Sequence, residues 1–170
     1  MHIKTIAIGL LLLIVSCNQS RQQGDVQDEA DTMSLDKPRS VENPLHYVPA
    51  EALWEYQFDT LANDFRPVKV RDVRADSLTA EKIEAIINNT WPNVQIRYLE
   101  TSGDTVAIEI AESTILTQQM GTAGAKQFMV STTYSFTELS DVRYVRFDFE
   151  EGDHAVPGVY HRGSWNSRPH

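Results

Sequence analysis

The sequence predicts an α+β (or α/β) fold in which a single mixed β-sheet of about four strands carries two helices on one face. Two segments have apolar residues at spacings of three and four, as in amphipathic helices. Other segments alternate between apolar and polar residues, as in half-buried strands. The expected order is strand, helix, strand, strand, helix, strand (βαββαβ), which lets both helices cover the same side of one sheet. We assign this single domain to residues 45–170.

The first sixteen residues have the composition of a secretory signal peptide. Lys4 precedes an apolar run at residues 6–15, which is too short to span a membrane. The segment Ile14-Val15-Ser16-Cys17 resembles the lipobox of bacterial lipoproteins, and this resemblance implies cleavage before Cys17 and acylation of its thiol and its new amine. The alternative is an ordinary signal peptide with a chance cysteine.

Cys17 is the only cysteine of the chain, so it has no intrachain disulfide partner. Several acyl chains on one residue would give stable membrane anchoring, where one chain would be marginal. We therefore expect a protein anchored to the membrane on the extracytoplasmic side of the cell envelope, facing the periplasm or the cell surface.

Residues 17–44 are expected to form a disordered, acidic tether that begins at the lipidated Cys17. Apolar residues are scattered there without a period, and the acidic residues are Asp25, Asp28, Glu29, Asp31 and Asp36. A flexible segment of this length typically reaches roughly 25–30 Å. A partner site in the acidic run is the alternative to a simple linker.

The net charge of the chain is −9, from 15 basic and 24 acidic residues. Removal of the signal peptide would take away Lys4 and make the charge one unit more negative. Such a chain repels nucleic-acid phosphates and gains no attraction to anionic lipid, so we expect no nucleic-acid partner.

Residues 45–65 fit two patterns. Trp54, Tyr56 and Phe58 alternate as in a strand, but a helical stripe also fits, and Pro49 suits the first turn of a helix. We predict a helix here. The three aromatic side chains are expected to cover the core, and a platform for a glycan or a peptide is the alternative.

The next elements have clearer limits. Residues 67–71 alternate as in a short strand, and Thr79 is placed to cap the N-terminus of a helix that Trp91-Pro92 ends. Two alternating runs, at residues 94–98 and 106–110, flank turn chemistry and predict a β-hairpin.

The second helix is predicted from a stripe of apolar residues with Thr122 as its N-cap; the stripe consists of Ala125, Phe128, Met129, Phe136 and Leu139. Ser140-Asp141 is turn chemistry and should end the helix. Residues 145–149 alternate and predict a strand that returns along its own helix.

This order of elements resembles the GerMN domain, a module of spore-germination proteins and bacterial lipoproteins. The resemblance covers about the last two-thirds of the chain, in the segments DSLTAE (76–81), GDTVAI (103–108), LTQQMG (116–121) and VRYVRF (142–147). It implies an extracytoplasmic binding or structural role without an established catalytic set, so no site residue is carried over from the family.

The C-terminal tail from residue 150 is the candidate functional surface. Aromatic residues and arginine are enriched at binding hot spots, so we predict a partner surface at His154, Tyr160, Arg162 and Trp165. The alternative is that these side chains fold back over a sheet edge. We expect residues 150–158 to be ordered and packed against the domain.

The predicted function is a non-catalytic GerMN-like binding or structural module at the envelope, for a protein or a peptidoglycan-like glycan. No phosphate loop, paired CxxC, HExxH or nucleophile elbow is present in the sequence. No cofactor is expected. The alternative is a metal-dependent hydrolase whose ligands come from Glu150, Glu151, Asp153, His154 and His161.

Several basic residues lie in or near predicted strands and allow a local positive patch: Lys69, Arg71, Arg74, Arg97, Arg143 and Arg146. Cross-strand pairing with Glu109 and Asp148 is the interpretation that we prefer.

Overall fold

The computed structural model describes residues 46–165. The strands are β1 (Trp54–Asp59), β2 (Asp64–Lys69), β3 (Arg97–Ser102), β4 (Thr105–Glu109), β5 (Tyr144–Asp148) and β6 (Gly158–Tyr160), and the main helices are α1 (Ala80–Thr90) and α2 (Gly121–Phe136). Short helical segments occur at Pro49–Glu51, Ala75–Ser77, Ile115–Gln119 and Arg162–Trp165. The predicted signal peptide, Cys17 and the tether lie outside the described residues.

A mixed four-stranded sheet with the order β3-β4-β5-β6 confirms the predicted α+β fold. β3 and β4 form the predicted antiparallel hairpin, β4 and β5 are parallel, and β5 and β6 are antiparallel. The parallel pair requires a crossover, and α2 supplies it. Both helices and the sheet contribute side chains to one buried core, which includes Ile83, Phe128 and Phe147.

Two details of the predicted topology are wrong. Residues 45–65 are not a helix: after one short turn at Pro49–Glu51 the chain forms β1. β1 pairs with β2 in a separate two-stranded sheet, so the strand expected at residues 67–71 does not join the main sheet. The fourth strand of the main sheet is instead β6, which lies in the tail.

Pairing across the β1–β2 hairpin explains why the strand pattern is the correct one in this segment. Tyr56 faces Pro67 and Phe58 faces Phe65, so the aromatic side chains share one face of the hairpin. The turn is closed by Asp59, whose carboxylate accepts hydrogen bonds from the amides of residues 61 and 62 at 2.9 and 3.2 Å. A helix would have separated these rings.

Helix α1 begins as predicted. The Thr79 hydroxyl accepts a hydrogen bond from the Lys82 amide at 3.3 Å, and the helix ends before Trp91. Ile83 and Ile87 are fully buried in the core. The helical period and the cap together therefore located this element correctly.

Helix α2 begins earlier than predicted, and Thr122 is not its cap. A π-helix at Ile115–Gln119 leads directly into Gly121, which has φ of 70°, and α2 follows without a side-chain cap. The Thr122 hydroxyl lies 3.2 Å from Nδ1 of His154 in the tail instead. The π-helix does not follow the 3.6-residue period of an α-helix, so the periodicity of the sequence did not predict where α2 begins.

Helix α2 is buried on two sides. Phe128 and Phe136 face the main core, whereas Val130 and Tyr134 form a second apolar cluster with Tyr56 of the β1–β2 hairpin. Hydroxyl groups on the buried part of the helix donate hydrogen bonds to backbone carbonyls three or four residues earlier. The Thr133 hydroxyl, for example, donates to the Met129 carbonyl at 2.7 Å. The hairpin therefore forms an additional layer over the helix.

Candidate functional site

Residues 150–158 of the tail are ordered and pack against the domain, as predicted. Its β6 strand pairs with β5, and the Ser113 hydroxyl donates a hydrogen bond to the Glu150 carbonyl at 3.0 Å. The His154 amide donates to the Thr117 carbonyl of the π-helix at 3.0 Å. These contacts fix the tail against both the sheet edge and the entry to α2.

A cleft of about 280 Å³, which we call the tail cleft, lies between the first half of α2 and the tail. Three of the four residues predicted for the partner surface line it, namely His154, Tyr160 and Trp165. The other lining residues are Thr122, Lys126, Met129, Asp153, Ala155 and Val156. Segments separated by about thirty positions in the sequence thus form one concave surface.

The wall of the tail cleft contains a fixed aromatic pair. The rings of Tyr160 and Trp165 are stacked with centroids 5.0 Å apart and planes 8° apart. The Tyr160 hydroxyl donates to the Val156 carbonyl at 2.7 Å, and its ring meets Phe147 edge-on. Burial, with a smaller contribution from the charge of Glu151, raises the pKa of Tyr160, so its phenol remains a neutral donor.

Charged and polar groups border this pair. The Lys126 ammonium lies 5.3 Å from the ring centroid of Tyr56, and no carboxylate among the described residues forms an ion pair with it. Asp153 and the His154 imidazole lie on the opposite, tail side of the cleft. The cleft is therefore lined by a carboxylate residue and an imidazole residue beside two aromatic rings, and Lys126 lines it too, although its ammonium lies over Tyr56 of the neighbouring groove.

Arg162, the fourth predicted residue, is not in the tail cleft. Its guanidinium lies over the rings of Trp54 and Tyr134, 5.1 and 4.9 Å from their centroids. It donates hydrogen bonds to Glu138 at 2.7 Å and to the Thr137 hydroxyl at 2.8 Å. This set of contacts, which we call the Arg162 clamp, joins the tail to the end of α2 and to the hairpin.

Glu138 is the acidic centre of the clamp, since it also accepts a hydrogen bond from Lys69 of β2 at 2.6 Å. Burial acts to raise the pKa of this carboxyl, but the hydrogen bonds and charges of Lys69 and Arg162 outweigh it. The net effect holds the pKa of Glu138 below its ordinary value. The clamp is therefore fully charged at neutral pH.

Ion pairs account for the basic residues on the strands, but the cross-strand pairing that we preferred is found at Glu109 and not at Asp148. Arg97 pairs with Glu109 across the β3–β4 hairpin. Arg146 pairs with Asp148 at 3.1 Å along β5. Further pairs join Arg143 to Asp104, Arg74 to Asp76, Lys69 to Glu138 and, at 4.0 Å, Arg71 to Glu51.

The predicted metal ligands of the tail do not converge. Among residues 46–165, no three His, Cys, Asp or Glu side chains are placed to hold a metal ion together. The metal-dependent hydrolase stays an untested prediction, with no ligand set in this part of the chain.

The sequence did not reveal a second depression, which lies between the β1–β2 hairpin and α2. This groove of about 360 Å³ is lined by Tyr56, Asp64, Phe65, Met120, Ala123, Gly124, Lys126 and Gln127. A third depression of about 370 Å³ lies near Arg143, Tyr144 and His161. The groove was missed because it exists only when residues 54–69 form a hairpin.

In the described part of the chain, no helix has both the length and the apolar character to cross a membrane. Comparison of the sequence with protein-family models and curated proteins, and of the structure with solved structures, gives no match.

Proposed function

We propose that this protein is a non-catalytic binding module held at the cell envelope by lipid on Cys17, with a GerMN-like domain that binds its ligand in the tail cleft. The ligand is a peptidoglycan-like glycan or a segment of an envelope protein. The tether at residues 17–44 would give the domain a reach of roughly 25–30 Å from the bilayer.

The observation that carries this proposal is the construction of the tail cleft. The Tyr160 and Trp165 rings are already stacked, and Tyr160 is anchored by its hydrogen bond to Val156, so a ligand can pack against the pair at a limited cost in side-chain freedom. Lys126, Asp153 and His154 provide donors and acceptors around the rings. Binding sites commonly combine an apolar surface with a few such polar groups.

The volume of the tail cleft is small for a binding site, below the usual range of about 300–1,000 Å³. It therefore accommodates one unit of a longer ligand, such as one ring of a glycan or one side chain of a polypeptide. Because the polar groups surround the rings, we take the glycan as the first ligand to test.

The test is co-sedimentation of the purified protein with insoluble peptidoglycan sacculi. We expect the wild-type protein to sediment with sacculi and Trp165→Ala to lose about tenfold in affinity, as for a central aromatic contact. His154→Ala and Lys126→Ala are tested alongside Trp165→Ala. Both side chains contribute little to the core, so a loss of binding in these variants would not be due to unfolding. Arg97→Gln, on the distant β3 strand, is the matched control and should bind normally.

Binding that none of the cleft variants weakens would exclude the tail cleft as the site. If the wild-type protein does not sediment with sacculi at all, the glycan is excluded. A photo-crosslinker at position 126 in intact cells would then show whether an envelope protein occupies the cleft.

A further inference from the structure

The tip of the β1–β2 hairpin exposes the largest apolar side chains of the described surface. Leu61 is 98% exposed, and Phe58 and Phe65 are 50% and 48% exposed. Phe58 and Phe65 are direct cross-strand partners, with ring centroids 5.2 Å apart. Leu61 lies in the turn that joins their strands, so the three exposed apolar side chains occur at the same end of the hairpin, which we call the hairpin tip.

The same hairpin face is buried farther from the turn. Tyr56 packs against Val130 and Tyr134 of α2, and Phe65 stacks on Tyr56 with ring centroids 5.3 Å apart. The aromatic face therefore runs from a buried end at Tyr56 to a half-exposed end at Phe58 and Phe65. Contiguous exposed apolar patches of this kind mark contacts with proteins or membranes.

The polar groups of the hairpin tip are largely satisfied within it. The Asp59 carboxylate accepts hydrogen bonds from two turn amides and pairs with Arg66 at 2.8 Å. Asp64 accepts a hydrogen bond from the Phe65 amide at 2.7 Å, and its charge is the only one at the tip that forms no ion pair among the described residues. Insertion of the tip to a shallow depth would leave few of these groups without a partner.

We infer that the hairpin tip is a second membrane contact, in which Leu61, Phe58 and Phe65 enter the interface of an electrically neutral lipid surface. This inference rests on the proposed lipid anchor, because the tether of residues 17–44 ends at the lipidated Cys17. A reach of roughly 25–30 Å keeps the domain near the bilayer and gives the tip a high local concentration of lipid.

The charge of the protein selects the kind of lipid. The chain carries a net charge of −9, and Asp64 adds an unpaired negative charge at the tip itself. An anionic surface would repel the approaching domain. A zwitterionic surface such as phosphatidylcholine is therefore the preferred partner, and the attraction is apolar and insensitive to salt.

The experiment removes the anchor and tests the tip alone. Mature chain with Cys17→Ser, which carries no acyl group, is mixed with phosphatidylcholine vesicles and sedimented. We expect a weak, salt-independent association that Leu61→Ser reduces about tenfold, the effect of withdrawing one fully buried leucine. Val159→Ser is the matched control, because Val159 is 56% exposed but lies on β6.

A fluorescent variant measures the depth of insertion. Leu61→Trp should shift its emission to the blue when vesicles are added, and brominated lipid should quench it. Leu61 contributes nothing to the core, so neither substitution should alter the folded state.

The inference is overturned if the unacylated chain does not associate with phosphatidylcholine vesicles, or if Leu61→Ser and Val159→Ser associate equally well. Association that requires phosphatidylglycerol in the vesicles, or self-association that Leu61→Ser abolishes in the absence of lipid, also overturns it. The proposed function is tested separately, because Leu61→Ser in the acylated protein should leave sedimentation with sacculi unchanged.

Discussion

At the scale of single residues, Gly152 is the position where the tail crosses the π-helix most closely. A Cβ atom at this glycine would lie 2.6 Å from Cβ of Thr117, 2.8 Å from its Oγ1 and 2.4 Å from Nε2 of Gln118. Thr117 is buried, and its hydroxyl donates to the Ser113 carbonyl at 3.0 Å, so it has little freedom to move. The close packing of the tail on the π-helix therefore requires a residue without a side chain at position 152.

We expect Gly152→Ala to lower the free energy of unfolding by about 1–3 kcal/mol, the usual range for overpacking. Urea denaturation measures it. Gly163→Ala is the comparison: its Cβ would approach the exposed His161 ring to 2.7 Å, and this ring can turn away at the cost of its hydrogen bond from the Gly163 amide, so a smaller loss than at Gly152 is expected. Equal losses in the two variants would contradict the close approach at Gly152.

Thr79 and Thr122 were both predicted to be helix N-caps, but removal of their hydroxyl groups should change the free energy of unfolding by different amounts. Thr79 caps α1, so Thr79→Ala should cost about 1 kcal/mol. Thr122 caps no helix and contacts only the His154 ring through its hydroxyl, so Thr122→Ala should cost less than half as much as Thr79→Ala. Thermal unfolding of the two variants in parallel decides between them, and a larger loss at Thr122 would show that it does cap α2.

Glu138 makes the Arg162 clamp sensitive to acid. Its pKa in the folded protein lies below the ordinary value of 4.5, so its stabilising contribution is complete above that value. The contribution is lost as the pH falls through the lower, folded-state pKa, when the carboxylate is protonated and releases Lys69 and Arg162.

We expect Glu138→Gln to be less stable than wild type by about 1–3 kcal/mol near neutral pH, as for a hydrogen-bonded charge. The difference should shrink as the pH falls below 4.5 and through the lowered pKa of Glu138, because the wild-type carboxyl then becomes neutral as well. Urea denaturation of both proteins at a series of pH values checks this. A difference that stays constant down to acid would exclude a charged Glu138.

At the scale of secondary-structure elements, the sequence predicted a helix or strand correctly where one apolar periodicity continued without interruption between residues that end such elements. Helix α1 has a cap and a proline-terminated end, and the alternating runs at residues 94–98 and 106–110 predicted a hairpin, although β3 begins later and continues to Ser102. The segment around Trp54 satisfied both periods, and only its pairing with β2 and its packing on α2 decide for a strand.

The tail cleft could be predicted only in part. His154, Tyr160 and Trp165 were selected for their chemistry, and three-dimensional packing brings them together. Lys126 and Thr122 join them because the π-helix and Gly121 set the direction in which α2 begins, which no sequence period records. Arg162 was selected by the same chemical rule, but the structure places it outside the cleft. Its neighbours Trp54 and Glu138 are far away in the sequence, so the sequence did not predict these contacts.

The tail is also a structural element, and its removal has a predictable cost. Truncation after Glu151 removes β6, the contact of Tyr160 with Phe147, and the Arg162 clamp. Several kcal/mol should be lost, which corresponds to a fall in melting temperature of about 10 °C or more for a domain of this size. Truncation after Trp165 retains every described residue and is the control. Equal melting temperatures would show that the tail does not stabilise the domain.

At the scale of the whole molecule, the residues that form the described domain differ from the residues that would attach it to a membrane. Residues 46–165 contain a buried core and a tail strand, β6, that pairs along one edge of the main sheet. In the proposed arrangement, attachment to the membrane would depend on acylation of Cys17, and the hairpin tip would add a weaker contact. Several acyl chains would bury far more apolar surface than three partly exposed side chains.

The expected difference in strength between the acyl anchor and the hairpin tip can be measured in cells. In cells, wild-type protein should enter the detergent phase during detergent partition, whereas Cys17→Ala should move to the aqueous phase, because it loses every acyl chain. Leu61→Ser with Cys17 intact should partition like wild type, since the hairpin tip is too weak to control attachment by itself. The circular-dichroism spectrum of Cys17→Ala should be unchanged, because the domain folds without the anchor. If Cys17→Ala still enters the detergent phase, acylation of Cys17 is not the anchor, and the uncleaved apolar run at residues 6–15 becomes the next segment to delete.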